Sequence, residues 1–260
     1  MKSARFETDL TDGQWQLLEP MLPPANRLGR RRTPLRCVVD GILYLLKSGC
    51  PWRLLPKNFP PWQTVYHFFR QWSLGPTFSG LNDRLRALVR ESEGKRSRPT
   101  AAALDSQTVR SGAHGGAVGY DSSKRTKGRK RFLLVDTLGM ILGAAVVPAS
   151  ETERAGAKVL LKPLLDWFPW LRKIWADGGY SGPDFASWLR EQRPKLEIEV
   201  IKRSDDLRGF HVLPQRWIVE RTFAWLVQNR RLARDYEQCE ASATGLIYVA
   251  MIRLMLRRLA

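Results

Sequence analysis

Strand-like and helix-like segments alternate between residues 101 and 233, and this order constrains the fold more than any other feature. Three apolar segments come first, AAALDSQTV, RFLLVDT and MILGAAVV, and a short Leu-Gly turn joins the last two. A helical pattern follows over residues 151–168, then a strand in RKIWADGGY that stops at Gly178-Gly179. A short helix over residues 183–191, a strand in LEIEVIK and a helix from Pro214 to about Ala233 complete the series.

This order predicts an α/β fold of the ribonuclease H-like type. The first three strands form an antiparallel meander, and two more are added in parallel through helical crossovers, which gives a mixed five-stranded sheet with flanking helices. Residues 111–129 are Gly-rich and then strongly basic, and we expect a long loop there. A final helix is predicted over roughly residues 241–259.

The first 93 residues have a different pattern, that of short helices separated by Pro and Gly. Thr11 and Gln14 form a capping box that opens a helix over residues 11–21. Apolar residues at helical spacing predict three further helices, and Gly49 ends the first of them. We expect a helical N-terminal domain (residues 1–93), a basic linker (94–100) and a ribonuclease H-like catalytic domain with a C-terminal helix (101–260).

Two aspartates lie on strands that this fold makes neighbours. Asp105 lies near the end of the first core strand, in ALDSQT, and Asp177 ends the fourth, in IWADGGY. A carboxylate in an apolar strand is costly to bury unless a cation or hydrogen-bond donors satisfy it. Each Asp alone is more often a turn or cap residue. Together the two carboxylates favour a divalent cation, which prefers hard oxygen ligands.

Glu220, in the last core helix, is the candidate for a third metal ligand. Arg216 lies four residues earlier on the same face, where it would contact phosphate or pair with Glu220. Two metal ions bridged by carboxylates stabilise the crowded, negative transition state of phosphodiester cleavage. A Glu–Arg pair on a helix is usually a surface ion pair worth little. Glu153, Glu237 and Glu240 compete for the third position, and the helix dipole already explains an acid at the start of a helix, as at Glu153.

The charge balance indicates the partner. Forty-three Lys and Arg face twenty-five Asp and Glu, so the formal net charge is +18. Repulsion on this scale is best relieved by a polyanion, usually nucleic acid, with an anionic membrane surface as the alternative. The chain begins without an apolar run, its last apolar segment is short and carries arginines, and its three cysteines lie far apart. We therefore expect a soluble, cytoplasmic protein that binds nucleic acid.

Clusters of basic residues are the candidate contacts to the DNA backbone. The strongest is SSKRTKGRKR, which leads into the predicted hairpin. One cluster is most often a solvated face, whereas several together predict strongly salt-dependent binding. The candidate residues are Arg30, Arg31, Arg32, Lys124, Arg125, Lys127, Arg129, Lys130, Arg131, Arg230 and Arg231.

A helix-turn-helix-like unit is a second candidate DNA contact, in GCPWRLLPKNFPPWQTVY. Its recognition helix would be residues 62–72, with an ordinary polar helix face as the alternative. The base-facing candidates are Gln63, Thr64, His67 and Arg70. The three histidines do not cluster in the sequence, so we assign none of them to catalysis.

The chain resembles, over nearly its whole length, the DDE transposases of the insertion sequence four/five superfamily. The resemblance is carried by the stretches LTDGQWQLLEPMLPP, GRRRTPLRCVVDGILYLLKSGCPWRLLPKNFPPWQTVYHFFRQW, LDSQTVR, GRKRFLLVDTLGMILGAAVVPAS, ADGGY and RWIVERTFAWLVQNRRLARDYE. It implies Mg²⁺- or Mn²⁺-dependent cleavage and strand transfer at terminal inverted repeats, by a homodimer on double-stranded DNA. It also implies a bacterial protein associated with the nucleoid. The two aspartates and the glutamate of the family correspond to Asp105, Asp177 and Glu220.

The chain departs from the superfamily in two respects. Arg216 and Glu220 fit the spacing of a Tyr, Arg, Glu, Lys signature, but Leu213 and Val227 stand in place of the Tyr and the Lys. Only 42 residues separate Asp177 from Glu220, too few for the β-rich insertion of some relatives. Two alternative functions are a nuclease that cuts but cannot rejoin strands, and a DNA-binding repressor without catalysis, against which the acidic triad argues.

Overall fold

The structure is a computed structural model and describes residues 6–24, 33–112, 116–201 and 217–260. Its helices are α1 (Asp12–Leu18), α2 (Leu35–Ser48), α3 (Trp62–Leu74), α4 (Thr77–Ser92), α5 (Glu153–Trp167), α6 (Pro183–Gln192), α7 (Trp217–Val227), α8 (Arg230–Ala233) and α9 (Glu240–Leu259). Its strands are β1 (Ala101–Arg110), β2 (Gly119–Asp121), β3 (Thr126–Asp136), β4 (Ile141–Pro148), β5 (Lys173–Ala176) and β6 (Glu197–Val200). One-turn 3₁₀ helices include Gly178–Tyr180, directly after β5.

The strands form one mixed sheet in the order β2-β3-β1-β5-β6, and β4 pairs with β3. β3 pairs antiparallel with β1, β2 and β4, whereas β5 pairs in parallel with β1 and β6. The parallel strands are connected through α5 and α6, as crossovers require. This confirms the predicted ribonuclease H-like arrangement of a meander extended by two strands.

Alternate residues of β1 face two different hydrophobic cores. Ala103 packs in one core with residues of β3, α7, α9 and the N-terminal helices, and Leu104 packs in the other with residues of α5 and α6. Side chains alternate between the two faces of a strand. Asp105 therefore leaves β1 on the side that carries α7.

The N-terminal helices share their core with the sheet. α9 packs against α2, α3 and α4 as well as against β4, and one hydrophobic cluster includes Val38, Leu85, Leu133 and Met251. Burial of each such side chain contributes roughly 1.5–3 kcal/mol. The predicted linker is also held in place, because Arg90 donates to the carbonyl oxygen of Arg96 at 2.7 Å. The division predicted at residues 94–100 therefore does not separate two hydrophobic cores.

Local signals for the helix ends are borne out. The Thr11 hydroxyl accepts from the Gln14 backbone N–H at 3.2 Å, and the Gln14 side chain accepts from the Thr11 N–H, which completes the capping box. Gly49 ends α2 with a φ of 73°, a conformation that favours glycine. In the described parts of the chain, no helix is both long enough and apolar enough to cross a lipid bilayer.

The structure corrects the long loop predicted over residues 111–129. β2 and the start of β3 occupy much of this range as a hairpin with a turn at residues 122–125. Gly119 and Gly128 permit the close strand approach, because a Cβ atom would collide with Ser150 at the first and with Val109 at the second. The basic sequence therefore belongs largely to a paired strand.

Two further boundaries differ from the prediction. β1 continues to Arg110, so Asp105 lies in the middle of the strand instead of near its end. The last core helix stops at Val227 and restarts as α8, because Asn229 adopts an extended backbone and its side chain donates to the Leu226 carbonyl at 3.1 Å. The predicted first turn of that helix, from Pro214, lies outside the described residues.

Candidate active site

Asp105 and Asp177 lie side by side at one place in the sheet. β1 and β5 pair in parallel with Ala103 opposite Trp175, and Asp105 and Asp177 each follow two residues after this last pair. Opposite residues on parallel strands project to the same face. Both side chains are half-buried. The predicted convergence of these two carboxylates is therefore supported by the register of the strands.

Backbone N–H groups orient both carboxylates. Asp105 Oδ1 accepts from the N–H of Ser106 at 2.7 Å, and Asp177 Oδ1 accepts from the N–H of Gly179 at 2.9 Å. Asp177 thereby caps the 3₁₀ turn Gly178–Tyr180, so its role as a turn cap is real. A carboxylate has two oxygens with about four acceptor sites, so capping by one oxygen is compatible with binding a cation.

Glu220 lies in the first turn of α7, exposed, on a helix that packs against β1 and β3. Thr222 of the same helix donates to Gly139 in the β3–β4 turn at 2.9 Å. That turn lies at the amino end of β1, since Ala102 pairs with Asp136. Glu220 is about 200° around the helix from the buried Thr222, and its side chain is exposed. Arg216 lies outside the described residues.

Glu153 is an acid at this site for which the sequence indicates only a helix-dipole role. It begins α5, and its Oε2 accepts from the Ser106 hydroxyl at 2.6 Å. Its Oε1 lies 3.3 Å from Lys130 Nζ. A Cβ atom on Gly179 would stand 3.1 Å from Asp177 Oδ1 and 3.2 Å from Glu153 Cγ. The side chains of Glu153 and Asp177 therefore border the same small space.

The hydroxyl of Tyr180 lies beside these carboxylates. Tyr180 is 1% exposed, and its hydroxyl completes no hydrogen bond of ordinary geometry within the described residues. Burial raises the pKa of Tyr180, and the negative charges of Asp105, Glu153 and Asp177 raise it further. We name these four residues the active-site edge. Tyr180 and Ser106 were missed in the sequence, where a strand Ser and a Tyr after Gly-Gly carry no distinctive signal.

A divalent metal ion fits the chemistry of this edge. Carboxylate oxygens are the ligands that Mg²⁺ and Mn²⁺ prefer, and the buried Tyr180 hydroxyl, which has no hydrogen bond of ordinary geometry to the described residues, lies near them. As the side chains stand, no group of three or more Asp, Glu, His or Cys residues in the described segments is close enough to enclose an ion.

Four of the basic residues predicted to contact DNA are buried, which corrects that expectation. Arg129 is 1% exposed and Arg131 2%, and Lys130 and Arg231 are also buried. They lie on β3 and α8, where their charged groups bond to carboxylates and carbonyl groups inside the protein. These side chains are not available to a phosphate group in this fold.

Their partners form a network that we name the arginine clamp, made of Arg129, Arg131, Arg231, Asp235 and Glu237. Arg129 pairs with Asp235 at 3.1 Å and Arg231 with Glu237 at 2.7 Å. Arg131 donates to the Leu232 carbonyl at 2.7 Å, and burial lowers its pKa to about 10. The clamp fastens the segment after α8 onto β3. Glu237 is thus a structural acid, distant in role from the active-site edge.

The other candidate DNA contacts remain on the surface. Lys124, Arg125 and Lys127 are exposed on the β2–β3 hairpin, and Arg230 is exposed on α8. On α3, Gln63, His67 and Arg70 are exposed and Thr64 is half-buried. Arg30, Arg31 and Arg32 lie outside the described residues.

Comparison with known proteins identifies the family. Residues 96–255 match the family described as Transposase DDE domain, and residues 10–82 match "Putative transposase of IS4/5 family". A DDE domain is a polynucleotidyl transferase domain and implies divalent metal ions.

Individual relatives are bacterial insertion-sequence proteins. An uncharacterized 16.2 kDa protein of insertion element IS402 from Burkholderia cepacia is 30% identical over 117 residues, which cover 42% of this chain and 78% of that protein. A "Putative transposase for insertion sequence element IS402" from the same organism is 30% identical over 122 residues, covering 43% of this chain. The match spans only 54% of that transposase.

The mixed sheet with its flanking helices, the neighbouring Asp105 and Asp177, and the two family matches all indicate the same family. The chain belongs to the DDE transposases of bacterial insertion sequences, with the N-terminal helices of the IS4/5 group.

Proposed function

We propose that this chain cleaves DNA at the terminal inverted repeats of an insertion sequence and transfers the freed strand to target DNA. The observation that carries the proposal is the parallel pairing of β1 with β5, because Asp105 and Asp177 each follow two residues after the last pair of this ladder. In a binding protein without catalysis, capping of a turn would explain Asp177 alone, but not its position near a second half-buried carboxylate, because like charges repel each other.

In this proposal Asp105, Asp177 and Glu220 hold the metal. A bound Mg²⁺ or Mn²⁺ would act as a Lewis acid on the scissile phosphate and on the attacking oxygen. The protein contributes a fixed geometry: the Ser106 and Gly179 N–H groups orient the two aspartates. Arg216, four residues before Glu220, stays the candidate for a contact to phosphate.

Double-stranded DNA would lie across the exposed cations of the hairpin and α8. Lys124, Arg125, Lys127 and Arg230 supply charge for the backbone. Gln63, His67 and Arg70 are spaced four and three residues apart on the solvent side of α3, as residues that read base edges must be. Arg30 to Arg32 remain candidate phosphate contacts, and we expect a homodimer on paired transposon ends.

The test compares Glu220→Gln with Glu240→Gln, a matched control in the first turn of α9. We expect Glu220→Gln to abolish Mg²⁺-dependent cleavage of a terminal-repeat duplex while gel-shift affinity and melting temperature stay unchanged. Glu240→Gln should cleave normally. Normal cleavage by Glu220→Gln would overturn the assignment of this residue.

A second assay separates a transposase from a nuclease that only cuts. A pre-cut repeat end with a free 3′-hydroxyl is mixed with plasmid and Mg²⁺, and covalent joining is measured on a denaturing gel. We expect joined product from the wild-type chain. Cleavage without joining would reduce the function to that of a nuclease.

A further inference from the structure

Glu153 is tied to both catalytic strands, although it lies on neither. Its Oε2 accepts from the hydroxyl of Ser106, the residue that follows Asp105 on β1. Its Cγ lies across the space above Gly179 from Asp177, the residue that ends β5. A helix-dipole role needs only an acid in the first turn and requires neither contact.

The buried Lys130 holds Glu153 in this position. Its Nζ lies 3.3 Å from Glu153 Oε1 and 3.7 Å from Asp121 Oδ2, and it donates to the Glu151 carbonyl at 2.8 Å. The ammonium is therefore fixed from three sides, and it fixes the carboxylate in turn. Supporting residues of this kind are what align the ligands of a metal site.

The other carboxylates around Glu153 favour a further cation besides Lys130. Asp105 and Asp177 lie close by, and the buried Tyr180 hydroxyl among the three carboxylates lacks a well-formed hydrogen bond within the described chain. Like charges that converge destabilise each other. Nucleotidyl transfer uses two divalent metal ions, and three carboxylates do not neutralise their combined positive charge, which leaves room for a fourth carboxylate.

We propose that Glu153, oriented by Ser106 and Lys130, is a fourth metal-facing carboxylate in addition to Asp105, Asp177 and Glu220. The proposal rests on the metal site of the proposed function and adds a residue to it. The residue acts on the metal together with Asp105 and Asp177, and Glu220 approaches the site from α7.

The experiment titrates Mn²⁺ alone into the full-length chain by calorimetry. We expect Glu153→Gln to weaken Mn²⁺ affinity by about tenfold or more, as loss of a group that tunes a metal site does. Glu151→Gln is the matched control, since its side chain is exposed and lies two residues away; it should bind as the wild type does. Asp177→Asn should abolish the binding.

A purely structural role for Glu153 predicts a different result. Glu153→Gln would then lower the melting temperature without metal, through loss of the Lys130 pair, and leave the Mn²⁺ affinity unchanged; that outcome overturns the proposal. Glu153→Asp keeps the charge and the helix dipole but withdraws the carboxylate. It should fold where Glu153→Gln does not, and it should bind Mn²⁺ more weakly than the wild type.

The two proposals fail differently. If Asp177→Asn abolishes Mn²⁺ binding and Glu153→Gln and Glu153→Asp both keep it, only the role of Glu153 is wrong. If Asp177→Asn keeps the binding and Glu153→Gln abolishes it, Glu153 is supported and the proposed ligand set is wrong. If the wild-type chain binds no Mn²⁺, both are overturned.

Discussion

The arginine clamp and the active-site edge are both groups of charged residues beside β1 and β3, yet they are built in opposite ways. In the clamp each buried cation has an assigned partner, such as Asp235 for Arg129 and Glu237 for Arg231. At the active-site edge acids gather near one another, with Lys130 as the cation that pairs with Glu153.

The difference separates charges that serve the fold from charges that serve a reaction. Removing one partner of a buried pair leaves an uncompensated charge, so the clamp is sensitive to any single loss. Removing one of several converging acids relieves electrostatic repulsion. The active-site edge therefore lowers the stability of the fold, and we attribute its presence to the ligand that it binds. Four predictions test this contrast.

Asp105→Asn should have the largest effect, and only on activity. We expect cleavage of a repeat duplex in Mg²⁺ to fall about 1,000-fold, because loss of a metal ligand raises the activation barrier by several kcal/mol. The free energy of unfolding should stay within about 1 kcal/mol of the wild-type value or rise. A large loss of stability would show that the edge is built like the clamp.

Asp235→Ala should show the reverse behaviour. It leaves the buried Arg129 without its carboxylate partner and removes the acceptor of the Glu237 N–H. We expect the free energy of unfolding, from a urea titration, to fall by about 3–5 kcal/mol. Glu240→Ala, at an exposed acid of α9, should change it by less than about 0.5 kcal/mol. A loss no larger than that control would contradict the role of the clamp.

A pair of adjacent glycines probes the space between Asp177 and Glu153. In Gly179→Ala the new methyl group would press on both side chains, whereas a Cβ atom on Gly178 meets no heavy atom within 4 Å. We expect kcat/KM to fall about tenfold for Gly179→Ala, because small displacements of reacting groups are costly. Gly178→Ala should stay within about twofold. Equal activities would mean that this space is not used.

Much of this molecule could be predicted from its sequence because the signals are local. The strand order follows from the series of apolar segments, and the adjacency of Asp105 and Asp177 follows from that order. The capping box at Thr11 and Gln14 is a contact between near neighbours in the chain.

The sequence could not reveal contacts between distant segments. The partners of Glu153 lie on β1 and β3, and Ser106 is 47 residues away in the chain, so the helix dipole is the simplest explanation for its charge from sequence alone. The sequence GRKR is typical of an exposed loop, but Arg129 and Arg131 are buried because β3 pairs with β1 and β4 and because both side chains bond to the distant segment around α8. The hydrophobic core that the N-terminal helices share with the sheet likewise depends on α9, which lies at the far end of the sequence.

The smallest effect is expected at the exposed end of the same basic run, in the turn between β2 and β3. Asp121 holds this turn through bonds from the N–H groups of Ser123 and Lys124 and from the Thr108 hydroxyl. Burial alone would raise the pKa of Asp121, but these hydrogen bonds outweigh it and keep the pKa below its usual value. The turn is therefore a rigid support for exposed cations, and Lys130 connects its anchor to Glu153.

Neutralising Lys124, Arg125 and Lys127 together as Gln should weaken DNA binding regardless of sequence. The slope of log affinity against log salt should become shallower by about 0.9 for each phosphate group that the turn no longer neutralises, measured by fluorescence anisotropy with repeat and random duplexes. Lys162, Arg190 and Lys195, exposed on the side of the sheet covered by α5 and α6, provide a control of equal charge whose slope should not change. Equal slopes for the two triple variants would show that net charge alone drives binding. A shallower slope for the turn variant alone would show that the cations at the start of β3 contact DNA, whereas those further along β3 belong to the clamp.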